Sequence, residues 1–399
     1  MMRISKRCQA VTGSLTLEID AKAKEMKAKG LDVVGFGAGE PDFDTPEFIR
    51  NAAKDALDRG MTRYTPASGM LELKVAICEK LKRDNGLEYV PQQIVVSNGA
   101  KHSLFNAFQA LLNEGDEVIV PGPCWVSYPE LVSMAGGVPV VVQAEESNSF
   151  KPTAAQIEAA VTDKTRAIIL NSPNNPNGFV YSREELKAIA DIAVAHDFAI
   201  VSDEIYEVLV YDGTKHVSIA SLSEEIKEHT IVINGMSKAY AMTGWRIGYA
   251  AAPLHVAKAM TNFQSHSTSN PNSIAQCAAL AALKGPDDQL QAMVREFDRR
   301  RMRMYELING IDGLSCILPK GAFYVMMNIS GLIGKKLNGV PITGSMSFTE
   351  LLLENSQVAV VPGVGFGADW YVRLSYATNM ENIEKGLSRI KAFTEKLAD

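Results

Sequence analysis

AIILNSPNNPNGFVYSREELKAIADIAVAHDFAIVSDEIY, residues 167–206, contains two short apolar runs, 167–170 and 199–202, separated by a segment of helical periodicity over 183–196. Each run is too short for a helix and is rich in β-branched residues, and the spacer is long enough for a crossover. The stretch therefore predicts a parallel strand–helix–strand unit. Each run also ends in polar residues, NSPNNPNG after the first and DEIY after the second. In open parallel sheets ligands bind at the carboxyl ends of the strands, so these are the places to look for chemistry.

The same alternation extends outward in both directions. Further strand-like runs occupy 94–97, 117–120, 139–142, 230–233 and 246–250, with helical segments at 101–112 and 273–283. The expected fold is α/β, with a large domain over 47–290 built on a mostly parallel seven-stranded sheet sandwiched by helices. Beyond about 285 the texture changes to a long charged helix, 289–310, followed by strand-like 321–329, 358–361 and 371–375. That pattern predicts a smaller α+β domain from 291–399, completed by an N-terminal arm over 1–46.

Composition narrows the function classes. The chain has 399 residues, 46% hydrophobic and 22% charged, which is the balance of a globular protein. No run approaches the roughly 18 apolar residues of a spanning helix. Glu18, Asp20, Lys22 and Lys24 stand where a signal peptide would be apolar, so a cytoplasmic location is expected. Five scattered cysteines form no metal-binding spacing and read as reduced thiols, with no metal site expected. A net charge of -6 argues against nucleic acid, and RRRMR at 299–303, flanked by Glu296, Asp298 and Glu306, reads as a solvated helix face.

Four strand ends carry chemistry. SNGAKHS (97–103) opens a helix, whose free N–H groups around Gly99, Ala100 and Lys101 suit a phosphate. Ser237 and Arg246 offer a hydroxyl and a bidentate guanidinium for the same anion, and Lys238 between them is the type of lysine that forms a covalent imine in a dry site. Asp203 emerges from an apolar run and needs a cationic or hydrogen-bonding partner. Asn175 lies in the amide-rich loop, where the Asn175–Pro176 bond is a candidate cis peptide. GVGFGA (363–368) formally fits a dinucleotide fingerprint, but a strand-like segment follows where that motif needs a helix, so its glycines read as turn residues. A carboxylate, an amide, the phenol of Tyr206, a reactive lysine and a phosphate cradle are together what pyridoxal 5′-phosphate requires.

GEPDFDTP (39–46), RYTP (63–66), NSPNNPNG (171–178), SDEIY (202–206), Ser237-Lys238 with GWRIG (244–248), GAFY (321–324) and VRLSY (372–376) occur in this order along the chain. In that order the sequence resembles the class I aminotransferases among the fold type I pyridoxal-phosphate enzymes, specifically their bacterial aspartate aminotransferase branch. The resemblance implies that Lys238 holds the cofactor and moves the substrate proton, that Asp203 pairs with the pyridine nitrogen, and that Asn175 and Tyr206 donate to the ring oxygen. It implies ring stacking by Trp125 and phosphate contacts from Ala100, Lys101, Ser237, Arg246 and, across a homodimer, Tyr64. Arg373 would clamp the substrate carboxylate with Gly39 closing over it, and Lys101, helped by Thr16, would favour acidic substrates. Asn177 stands where the family more often has Thr, and 262–271 offers no arginine for a distal carboxylate.

The expected reaction is amino-group exchange between L-aspartate and 2-oxoglutarate. Aromatic, alanine or prephenate aminotransferase activity, or a β-lyase, keeps the same cofactor and stays open at this point. A regulator built on the same domain would need a DNA-binding segment, for which there is no room before Gly39.

Overall fold

The strand–helix–strand unit forms as read. In the computed structural model Thr165–Asn171 and Ala199–Asp203 are parallel neighbours, joined through helix Arg183–Ala195. The helix starts where Ser182 and Glu185 cap each other: the Ser182 Oγ accepts the Glu185 N–H at 3.2 Å, and the Glu185 carboxylate accepts the Ser182 N–H at 2.7 Å. Leu186, Ile189, Ala190 and Ala193 then recur at helical spacing and are buried against the sheet. The structure describes residues 2–11, 13 and 15–399, without the side chains of 7, 10, 15–17 and 20.

Seven strands make the central sheet, in the order Ile94–Ser97, Gly248–Ala251, Thr230–Gly235, Ala199–Asp203, Thr165–Asn171, Glu117–Gly122, Val138–Gln143. All are parallel except Gly248–Ala251, which runs against both of its neighbours. Both faces are covered by buried apolar residues. Leu104, Phe108, Val118 and Ile233 belong to one core and Ile168, Leu170, Ile189 and Ile200 to another, which accounts for the continuous apolar strands.

A third core gathers Phe36, Phe297, Phe323, Tyr324, Phe348, Tyr376 and Phe393 around an antiparallel sheet of Val361–Pro362, Tyr371–Ser375 and Tyr324–Asn328. The run expected as one strand, 358–361, is divided. Val358–Ala359 pairs in parallel with Val34–Gly35, while Val361–Pro362 pairs with Val372 and Arg373, so one segment bridges two ladders. GVGFGA leads through a short 3-10 turn, Gly363–Phe366, into strand Tyr371–Ser375.

The solvated-face reading of RRRMR fails at two positions. Arg299 is exposed, but Arg300 and Arg301 are buried on helix Asp288–Asn309. Arg301 donates to Asp212 at 2.8 Å, to Asp298 at 2.6 Å and to the Pro319 carbonyl at 2.7 Å, and Arg300 donates to Asp42 at 2.7 Å. Asp212 and Asp42 lie far away in sequence, so nearest-neighbour charge patterning could not reveal them.

Candidate active site

Six parallel strands finish at one edge of the sheet, at Ser97, Gly122, Gln143, Asn171, Asp203 and Gly235. The antiparallel strand begins at that edge, because Gly248 pairs with both Ser97 and Gly235. Its reversal delivers Arg246 to the place where the other strands deliver their ends. The sequence suggested a strand from Arg246, yet the ladder starts at Gly248. Arg246 has φ 54, a left-handed conformation outside the β region, so it belongs to the turn.

That turn makes a close cradle. A Cβ on Gly99, at φ +88, would collide with the Arg246 guanidinium, and one on Gly248 would collide with the Ala100 backbone. Only glycine permits both approaches. Helix Ala100–Leu111 starts at Gly99 without a side-chain cap, so its leading N–H groups keep their anion-binding capacity. Ser237 is buried, and the Met236 N–H donates to the Ile247 carbonyl at 3.3 Å, holding its loop beside that of Arg246.

Lys238 follows on the four-residue helix Met236–Ala239 and donates to the Gly39 carbonyl. Burial brings its ammonium down to about 8. Asp203 is buried and accepts from the Tyr128 hydroxyl at 2.7 Å and from the Ile205 N–H at 3.2 Å. Burial outweighs those two bonds and lifts its carboxyl to about 6. The Tyr206 hydroxyl lies 3.1 Å from that of Tyr324, and burial keeps its phenol well above the usual range, a neutral donor.

Arg373 is buried, donates to the Asn175 Oδ1 at 3.0 Å and to the Gly37 carbonyl at 3.0 Å, and leaves its Nε without a protein partner. A desolvated guanidinium with an unused N–H is suited to a carboxylate. Lys101 sits with its Nζ 4.7 Å from the centre of the Trp125 ring, and loss of water, then the Arg246 charge, lowers its ammonium. Beside these groups opens a cavity of about 880 Å³, lined in part by Asn98, Lys101, His102, Cys124, Arg246 and Phe366.

Some expectations shift. The cis peptides are Gly122–Pro123 and Ser172–Pro173, not Asn175–Pro176. Asn175 is directed instead by its bond to Arg373 and by the Asn171 Oδ1, which accepts the Asn175 N–H at 2.8 Å. Tyr64 is 90% exposed and takes no part in the buried set. The Thr16 side chain lies outside the described residues. Two residues without an assigned role in the sequence reading also enter the site. Tyr128 reaches Asp203 from helix Ser127–Met134, with no sequence signal to mark it, whereas Tyr324 ended the visible GAFY motif.

The family model for aminotransferase class I and II matches residues 31–390. The chain belongs to the class I and II aminotransferases. Among curated members of this family it is 52% identical to an aspartate aminotransferase of Bacillus subtilis, over 99% of this chain and 100% of that one. It is 48% identical to an aspartate/prephenate aminotransferase of Cereibacter sphaeroides, with both chains fully covered. Among solved aminotransferases, an aspartate aminotransferase of Rhizobium meliloti superposes with a TM-score of 0.97 at 44% identity, covering both chains fully. That of Thermus thermophilus with maleate gives 0.93 at 46% identity, over 98% of this chain and 100% of that one. The aminotransferase family is pyridoxal-phosphate-dependent.

Proposed function

We propose that the protein is a pyridoxal-phosphate-dependent aminotransferase exchanging the amino group of L-aspartate with 2-oxoglutarate, in two half-reactions at one site. The observation that carries this reading is the convergence of Lys238, buried Asp203 and the Gly99–Arg246 cradle at one sheet edge. The residues fit the cofactor: the cradle excludes any Cβ, the helix start offers uncapped N–H groups, and the opposite end holds a buried carboxylate. The phosphate would be held by Ala100, Lys101, Ser237 and Arg246, the ring by Trp125, Asp203, Asn175 and Tyr206, and the aldehyde by Lys238. When bound, the cofactor supplies an electron sink for the carbon that loses its proton.

The side chains divide the remaining work. Asp203 would keep a proton on the ring nitrogen, since a desolvated carboxylate is stabilised by a cation beside it. Tyr206, a neutral phenol, would donate to the ring oxygen. Lys238, with its ammonium lowered to about 8, is a free amine often enough near neutral pH to take and return a proton. Arg373 would bind the substrate α-carboxylate through its guanidinium, with Gly39, whose carbonyl accepts from Lys238, closing over it.

Lys101 at the mouth supports an acidic substrate, as does the dicarboxylate maleate named with the Thermus relative. Prephenate as a second amino acceptor is supported by the Cereibacter relative. The exposure of Tyr64 supports a homodimer in which that phenol meets the partner's phosphate site. The division into 47–290 and 1–46 with 291–399 is supported by the pairing of Val34–Gly35 with Val358–Ala359 and by Ile19, Ala23 and Val33 packed on Leu353. A cytoplasmic location completes the reading; among the described residues no helix is long and apolar enough to cross a membrane.

The test is a half-reaction screen, following the visible absorbance of the cofactor-loaded protein after addition of each amino acid. Aspartate and glutamate should shift the band at the lowest concentrations. A band insensitive to both but responsive to alanine, tyrosine or cystathionine would overturn the substrate assignment.

A further inference from the structure

Residues 37–45 cross the site as a strap pinned near both ends. Arg373 donates to the Gly37 carbonyl at 3.0 Å and Arg300 to the Asp42 carboxylate at 2.7 Å, while the Thr45 hydroxyl donates to the Ala241 carbonyl at 2.7 Å and accepts from the Trp245 Nε1 at 2.9 Å. Between the pins, Gly39 and Glu40 are exposed. They touch the loop of the active lysine at two points: Lys238 donates to the Gly39 carbonyl, and the Thr243 hydroxyl donates to the Glu40 Oε2 at 2.7 Å. The Thr243 carbonyl in turn accepts from the Arg246 Nη1 at 2.8 Å, so the chain of contacts reaches the anion cradle.

The two midpoint ties are unequal. The Lys238 tie is lost whenever that amine is engaged in chemistry, since one nitrogen cannot do both jobs. The Thr243–Glu40 tie uses no group that the reaction consumes. We propose that Glu40 is a positioning residue, a latch that holds the strap over the substrate through Thr243 while Lys238 is occupied. This rests on the aminotransferase reading above for the substrate, but the latch itself is a property of the polypeptide. The Glu40 charge also supports the ammonium of Lys238, against the burial that lowers it.

Urea unfolding of the cofactor-free protein tests the tie apart from catalysis. Glu40→Ala and Thr243→Val should each raise the unfolding equilibrium constant by about tenfold, the scale of one hydrogen bond to a charged group, and the double variant by no more than either alone, because both remove the same bond. Glu40→Gln keeps an acceptor for the hydroxyl and should stay within about threefold of wild type. In the loaded enzyme Glu40→Ala and Thr243→Val should raise KM for the amino acid about tenfold and leave kcat within about twofold, with Gln restoring KM. Single variants as stable as wild type, additive effects in the double variant, or Gln as destabilising as Ala, would overturn the latch. A wild-type protein whose cofactor band ignores every amino acid would overturn the function while leaving the unfolding result in force.

Discussion

Asp203→Asn separates what the fold pays for its buried carboxylate from what the chemistry gains. Burial lifts the Asp203 carboxyl from an ordinary 3.8 to about 6, a penalty of about 3 kcal/mol on its ionised form in the cofactor-free protein. The sign follows from the raised value. Below 3.8 both folded and unfolded chains hold the proton; between 3.8 and 6 the folded chain binds it more tightly, so this contribution to stability falls as pH rises and is flat above 6. Asparagine cannot ionise and has no such slope. It keeps one carbonyl for the Tyr128 hydroxyl but cannot also serve the Ile205 N–H as a carboxylate does, a loss of about 1–2 kcal/mol. Cofactor-free Asp203→Asn should therefore be more stable than wild type by about 1–2 kcal/mol at pH 8, by urea unfolding, with the advantage gone by pH 4. The same variant, loaded with cofactor, should lose about 10²–10³-fold in kcat/KM, as expected for removing one partner of a buried charge pair. A variant less stable than wild type at pH 8, with an unaltered pH slope, would refute the reasoning.

Lys238 in the cofactor-free protein should be labelled by an amine-reactive reagent with a midpoint near 8, measured by peptide mass spectrometry across pH; a midpoint at 10.5 would contradict its desolvation. Lys238→Ala should lose both the visible band and transamination. Gly99→Ala places a side chain against the Arg246 guanidinium at φ +88, and should cost about 1–3 kcal/mol in thermal stability and weaken cofactor retention on dialysis. Arg301→Ala removes a buried guanidinium from the half-exposed carboxylates of Asp298 and Asp212 and leaves the buried Pro319 carbonyl without its donor; it should destabilise by about 1–3 kcal/mol in chemical unfolding, with the substrate specificity profile of the folded fraction unchanged.

The strands were legible because a sheet covered on both faces writes itself as continuous β-branched runs, and the residues at their ends could be counted off directly. What escaped depended on partners far apart in the chain. Charges at helical spacing look the same whether they face water or, like Arg301, meet Asp212. Arg246 read as strand because hydrophobic alternation carries no record of a positive φ. Tyr128 needed the folded geometry outright: a tyrosine 75 positions from its carboxylate has no local pattern to announce it. Asn177 keeps the loop's turn by accepting the Phe179 N–H at 3.2 Å through its side chain, a job its short polar group performs locally.

The antiparallel strand has a consequence for how the molecule is made. Ile94–Ser97 is the first strand of the central sheet to leave the ribosome, yet its hydrogen-bonding neighbour is Gly248–Ala251, the last. Until residue 251 has emerged, the earliest strand has no mate, and the cradle formed between Gly99 and Arg246 does not exist. Such distant pairing makes folding slow and leaves a bare edge on the nascent chain. With the phosphate site proposed above, cofactor capture would certify completion: a truncated or half-zipped polypeptide lacks the cradle, so holoprotein would be drawn only from chains that have finished their sheet.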